Sequence, residues 1–197
     1  DFVLNGDMEA LQVGFEALNI LMNGKVHLSS KPNSVFSKLN AVTHHTFEGL
    51  HPVGNVGTQI HHIDPVNKGE FVWTLNIQEV AAIGKFLNTG IIDPTRKIAL
   101  TGSEVHTTTY LKIVKGSPMS ALVDNTIEGK NVRYISGNVL TGDNKELTDY
   151  IGHYANQITV IPEGDEYKFF LTTGWLGHGF DKFSNSRLFP TFLLPKS

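Results

Sequence analysis

The stretch Phe71-Val72-Trp73-Thr74-Leu75-Asn76-Ile77-Gln78-Glu79-Val80-Ala81-Ala82-Ile83-Gly84-Lys85-Phe86-Leu87-Asn88-Thr89-Gly90 sets the expectation for the fold. Its first five residues are short, uncharged and mostly apolar, the pattern of a buried parallel strand. Asn76 then fits an N-cap, with Glu79 three positions on as its capping-box partner. Ile77, Val80, Ala81, Ile83, Gly84 and Leu87 give the following helix an apolar side. Ala81 and Gly84 suit close packing of that helix on a sheet, and Gly90 suits the left-handed residue that ends it.

Working outward, 7–23 reads as an amphipathic helix with Met8, Leu11, Phe15, Leu18 and Met22 on one face, opened by Asp7 and ended by Gly24. Residues 25–29 read as a short strand and 41–47 as extended chain. Up to Arg96 the alternation predicts an α/β layer with a mainly parallel sheet. Beyond it, 97–100, 108–114 and 132–136 read as strands. Ser117-Pro118 opens a short helix between the last two, with serine as N-cap and proline at N1. That order predicts an α+β unit of the β-grasp kind. Residues 157–161 and 167–172 read as a hairpin around Pro162-Glu163-Gly164-Asp165. The expected division is 1–96, 97–156, and 157–197 as a hairpin with an apolar tail. That tail, with Leu188-Phe189-Pro190-Thr191-Phe192-Leu193-Leu194, packs either on its own sheet or on a further part of the protein, a partner subunit or a membrane surface.

Composition narrows the function classes. The chain has 197 residues, 40% hydrophobic, enough for a core. A net charge of −3 without a basic stripe argues against a nucleic-acid partner. With no cysteine there is neither disulfide, nor thiolate nucleophile, nor cysteine-held iron–sulfur cluster. No apolar run approaches the ~20 residues of a spanning helix. The chain starts without methionine, and both ends read as cut from a longer protein.

The candidate site is Gly49-Leu50-His51-Pro52-Val53-Gly54-Asn55-Val56-Gly57-Thr58-Gln59-Ile60-His61-His62. Glycines at this density mark either tight turns or a backbone kept bare for close approach. Gly54 to Thr58 lead into a helix whose N-terminal amides suit an anion, although neither a P-loop nor a dinucleotide fingerprint is present. His51, Gly54, Gly57, Thr58 and His61 are therefore the ligand-binding candidates, against the alternative of a structural turn. His44, His45, His51, His61 and His62 lie close in sequence, but neighbouring histidines on a strand face opposite ways, and no metal-binding spacing is present. Thr101-Gly102-Ser103-Glu104-Val105-His106 holds hydrolase residue types without a nucleophile elbow. No catalytic residue, cofactor-binding residue or metal ligand is assigned.

Four ordered segments resemble one family. They are Gly49 to His61; Arg133-Tyr134-Ile135-Ser136-Gly137-Asn138-Val139-Leu140-Thr141-Gly142; Tyr150-Ile151-Gly152-His153-Tyr154-Ala155-Asn156-Gln157-Ile158-Thr159-Val160-Ile161-Pro162-Glu163-Gly164; and Gly174-Trp175 with Lys182-Phe183-Ser184 and Arg187. They are similar to the A subunit of the bacterial sodium-translocating NADH:quinone oxidoreductase, over nearly the whole chain. Departures stand at Leu50, Val53, Gln59, His153 and Ala155, where the family has proline, alanine, histidine, arginine and histidine. The resemblance implies a peripheral, cytoplasm-facing member of a six-subunit complex in the bacterial inner membrane. It implies electron transfer from NADH to quinone coupled to Na+ export. FAD, FMN, riboflavin and iron–sulfur centres are then carried by other subunits, and no cofactor by this chain. It further implies a Rossmann-like fold without its cofactor, then a soluble-ligand-binding β-grasp module. The role expected is assembly, with quinone as a further partner, and the alternative is a small module binding quinone or flavin.

Overall fold

The structure, a computed structural model, describes residues 2–4, 6–123 and 126–165. The expected strand at 167–172 and the apolar tail lie outside the described residues. The first region holds helix α1 (Met8–Leu21), strands β1 (His27–Ser30) and β2 (Thr43–Thr46), and helices α2 (Val56–Ile63) and α3 (Ile77–Thr89). β1 and β2 pair in parallel, His27 opposite Thr43 and Ser30 opposite Thr46. Leu4, Leu11, Phe15, Leu28, Leu39, Val80 and Ala81 form the core between these elements.

Three expectations need correction here. Residues 71–75 lie in no strand, and most are largely exposed. α3 is drawn close not to a sheet but to α1: a Cβ on Gly84 would run into the Ala10 carbonyl oxygen, and one on Gly14 into that of Val80. Asp7 precedes α1 without capping it, and its carboxylate pairs instead with Lys85 of α3 at 2.7 Å. The cap of α3 does form, with Asn76 Oδ1 accepting from the Gln78 amide at 2.9 Å. Gly90 ends that helix in the left-handed region at φ 70°, where glycine carries no Cβ penalty.

The second region is a five-stranded sheet in the order β4-β3-β7-β5-β6. Its strands are β3 (Thr95–Thr101), β4 (Thr109–Val114), β5 (Val132–Ser136), β6 (Asp143–Lys145) and β7 (Gln157–Pro162), with the short helix α4 (Met119–Val123) between β4 and β5. β3 and β7 run parallel, and every other neighbouring pair is antiparallel. β7, which the sequence groups with a terminal hairpin, is the middle strand. β3 alternates buried Arg96, Ile98 and Leu100 with half-buried neighbours, the period-2 pattern of a strand with one face in the core. Ile98, Leu100, Met119, Ile158 and Val160 are fully buried at its centre. Gly102, at φ 122°, lets the end of β3 pass against the Val160 backbone, where a Cβ has no room. Ser117 does not cap α4; its hydroxyl donates to the Val114 carbonyl at 2.7 Å.

Candidate functional site

The glycine-rich stretch is a turn that delivers α2. Its backbone is closed by Val53 N–H to Leu50 O at 3.1 Å and Asn55 N–H to Pro52 O at 2.8 Å. Gln59 Nε2 donates to the Val53 carbonyl at 3.1 Å and ties the helix back to the turn. The His51–Pro52 peptide is cis. Asn55 sits at the N-cap of α2 without a side-chain cap bond, and α2 buries none of its residues.

Gly57 and His61 are four apart on α2, and Thr58 and His61 three apart, so these three are neighbours on the helix surface. His51 and Gly54 lie in the turn before them, and no hydrogen bond joins His51 to His61. Gly54 and Gly57 each have open space where a Cβ would stand, and neither has positive φ. Nothing within the turn therefore requires glycine at these two positions.

The other histidines separate as strand geometry demands. His44 Nε2 meets the Leu39 carbonyl at 2.7 Å, whereas His45 Nε2 lies 2.9 Å from His27 Nδ1 across the β1–β2 pair. Burial, then the charges of His27 and His44, hold the His45 pKa below its ordinary value. The rings of His61 and His62 meet edge to face with centroids 5.6 Å apart. Among the described residues no group of three or more His, Cys, Asp or Glu side chains is placed to hold a metal ion. Ser103 and His106 do not meet: Ser103 Oγ reaches Glu104 at 3.4 Å, and His106 pairs with Glu128.

Among the described residues a polar cluster that the sequence barely announces gathers around Arg96. Glu79 of α3, expected as a capping-box partner, instead pairs with Arg96 of β3 and takes Lys115 Nζ at 2.8 Å. Arg96 is buried, and its Nη1 also donates to the carbonyls of His153 and Ala155 at 2.7 and 3.2 Å. Gln78 bonds both ways with the Lys97 backbone, at 2.9 and 3.0 Å. Lys97 Nζ reaches the Val3 carbonyl at 2.7 Å. Burial pushes the Glu79 carboxyl up, but the Lys115 hydrogen bond and the Arg96 and Lys115 charges more than offset it, leaving its pKa below the ordinary value. Only the acidic Glu79 in the first turn of α3 hints at this cluster; its partners lie 17 and 36 residues away.

These contacts join a helix-rich region and a sheet region into a mixed α/β protein. Among the described residues no helix is long and apolar enough to cross a membrane. Residues 1–92 match the family model described as "NqrA second alpha/beta domain", and 97–146 the one described as "NQRA C-terminal domain". The chain is similar to the A subunit of the Na(+)-translocating NADH-quinone reductase of Rhodopirellula baltica, 38% identical over 98% of this chain and 42% of that protein. The corresponding protein of Pasteurella multocida is 37% identical over 94% of this chain and 42% of its own length, and that of Vibrio alginolyticus 36% over 96% and 42%. The chain belongs to the NqrA family of Na(+)-translocating NADH-quinone reductase subunits. It spans 42% of the length of these relatives, which are named as subunits of an oxidoreductase that translocates sodium.

Proposed function

We propose that this chain is a cofactor-free, peripheral part of an NqrA subunit with an assembly role in a sodium-pumping NADH:quinone oxidoreductase. In this reading the chain lies on the cytoplasmic side of a complex in the bacterial inner membrane that passes electrons from NADH to quinone and exports Na+. FAD, FMN, riboflavin and iron–sulfur centres sit on other subunits, which are the partners of this chain. The expected boundary at 96 falls inside β3, so we draw it just before that strand, with a Rossmann-like unit up to 94 and a β-grasp unit from β3 that β7 completes. The helix pair with a parallel strand pair supports the first assignment. The order β4-β3-β7-β5-β6 with β3 and β7 parallel supports the second.

The observation that carries the assembly role is the Glu79–Arg96–Lys115 cluster around the buried arginine. It bridges the stretch between the two family-matched regions and ties one to the other, as a rigid spacer in a large complex requires. The test is turnover and ligand binding by the purified chain. The expected preparation is colourless, does not oxidise NADH, and shows no saturable quenching of Trp73 and Trp175 by a short-tail quinone. NADH-driven quinone reduction by this chain alone overturns the reading.

A second reading, a quinone- or flavin-binding module, is favoured by one observation. Gly54 and Gly57 are glycines that the turn itself does not need, so their bare backbone is free for a ligand to approach, beside His51, Thr58 and His61. Saturable quinone binding that is lost on Gly54→Ala/Gly57→Ala, in a chain of unchanged stability, establishes this reading.

A further inference from the structure

We infer that residues 71–75 are an unpaired strand whose partner is a β-strand of the same polypeptide lying outside these 197 residues. The inference holds for either reading of function.

The five residues Phe71-Val72-Trp73-Thr74-Leu75 contain no charge, no glycine and no proline, and β-branched and aromatic types dominate. They belong to no helix, strand or turn, and no backbone hydrogen bond engages them among the described residues. Phe71 is 89% and Trp73 86% exposed, with Val72 and Leu75 both at 51%. Along a strand 71, 73 and 75 share one face and 72 the other, so apolar surface is bare on both sides. Finished proteins blunt such an edge with charge, proline or a bulge, and none is present.

Both ends of the segment are already held. Glu70 accepts from the Asn67 amide at 2.8 Å and from Asn67 Nδ2 at 3.1 Å, closing the turn before it. Asn76 caps α3 after it, and α3 is locked on α1. Anchored ends lower the entropy lost on pairing. Free backbone N–H and C=O groups flanked by apolar side chains on both faces are satisfied by a strand.

That strand belongs to the same polypeptide for two reasons. The sheet of the same region is a two-stranded parallel pair, and parallel sheets are stable only with more strands and both faces covered. The relatives carry more than half of their length outside the region this chain matches. Within the 197 residues, Leu188 to Leu194 carries Pro190 and is a poor ladder partner, and the expected strand 167–172 is the competing occupant, which protection in the 197-residue chain would reveal.

The test is amide hydrogen exchange on the 197-residue chain and on the whole gene product that contains it. We expect 71–75 to exchange freely in the former and to be slowed by about 100-fold or more in the latter, as paired strands are. In a Trp175→Phe background the Trp73 emission then moves to shorter wavelength in the longer protein. Free exchange of 71–75 in the whole gene product overturns the inference, as does a gene product with no polypeptide beyond these residues. Protection already present in the 197-residue chain also overturns it. A monomer then points to its own tail as the occupant, and a dimer on size-exclusion to a second copy.

Discussion

Gly84 of α3 rests against the backbone of Ala10 in α1, so that a Cβ on Gly84 would strike the Ala10 carbonyl and stand 3.0 Å from the Gly14 amide nitrogen. The obstruction is main chain on both counts, and main chain in a helix cannot swing aside. Gly84→Ala is therefore expected to push the two helices apart. The net loss should be about 1–3 kcal/mol in urea unfolding, the usual cost of overpacking, despite the better helix propensity of alanine. Gly54→Ala is the control, with open space and no positive φ, and should change stability by less than about 0.5 kcal/mol.

Glu79 holds the counter-charge of a buried arginine. Glu79→Ala leaves Arg96 without it, and the expected loss is about 3 kcal/mol, the low end for breaking a buried pair because Glu79 is itself partly exposed. Replacing Lys115 by methionine should cost less, since Arg96 remains paired. Urea unfolding of the two variants gives the comparison directly.

The same carboxylate sets an acid limit. Its folded pKa lies below the ordinary 4.5, so the unfolded chain takes up the proton first as pH falls. The stabilisation is present above about pH 4.5 and is lost as pH falls through the lowered folded value. In Glu79→Gln that part of the pH dependence should disappear from unfolding curves recorded between about pH 3 and 5.

His45 Nε2 stands 2.9 Å from His27 Nδ1 across β1 and β2, and burial together with the charges of His27 and His44 disfavours the protonated form of His45. Because the folded pKa of His45 is lowered, stability is full above about 6.5 and declines as pH falls below it. His27→Gln removes the repulsion from His27. Its unfolding midpoint should depend less on pH between about 7 and 5 than that of the unaltered chain.

What the sequence reveals follows the range of the interaction that makes each element. Asn76 and Gly90 are legible because a cap and a left-handed residue act within a turn of chain. β3 is legible only over 97–100, since Arg96, which the strand buries, reads as a surface charge. Residues 71–75 have the composition of a strand, but pairing needs a second chain segment that composition does not supply. β6 is the converse: Asp143-Asn144-Lys145 has no strand propensity and is extended because β5 pairs with it. The role of Glu79 escapes the sequence for the same reason, since local spacing offers a capping box whereas Arg96 and Lys115 arrive from far along the chain. At the candidate turn the sequence locates the helix and its glycines. The open space beside Gly54 and Gly57 is a property of their surroundings, which only the folded chain assembles.

The central place of β7 also governs the order in which the second region can form during synthesis. β3 with β4, and β5 with β6, are antiparallel neighbours joined along the chain, and each pair can associate as soon as it leaves the ribosome. Loop contacts such as Glu128 N–H to the Glu104 carbonyl at 3.0 Å link the two pairs, but no strand lies between them until Gln157–Pro162 slides between β3 and β5. Until then Leu100 and Ile135 face water at the seam, and nascent chains are exposed to premature association there. A recombinant product ending at residue 146, where the family match stops, would lack the strand that closes the sheet between β3 and β5.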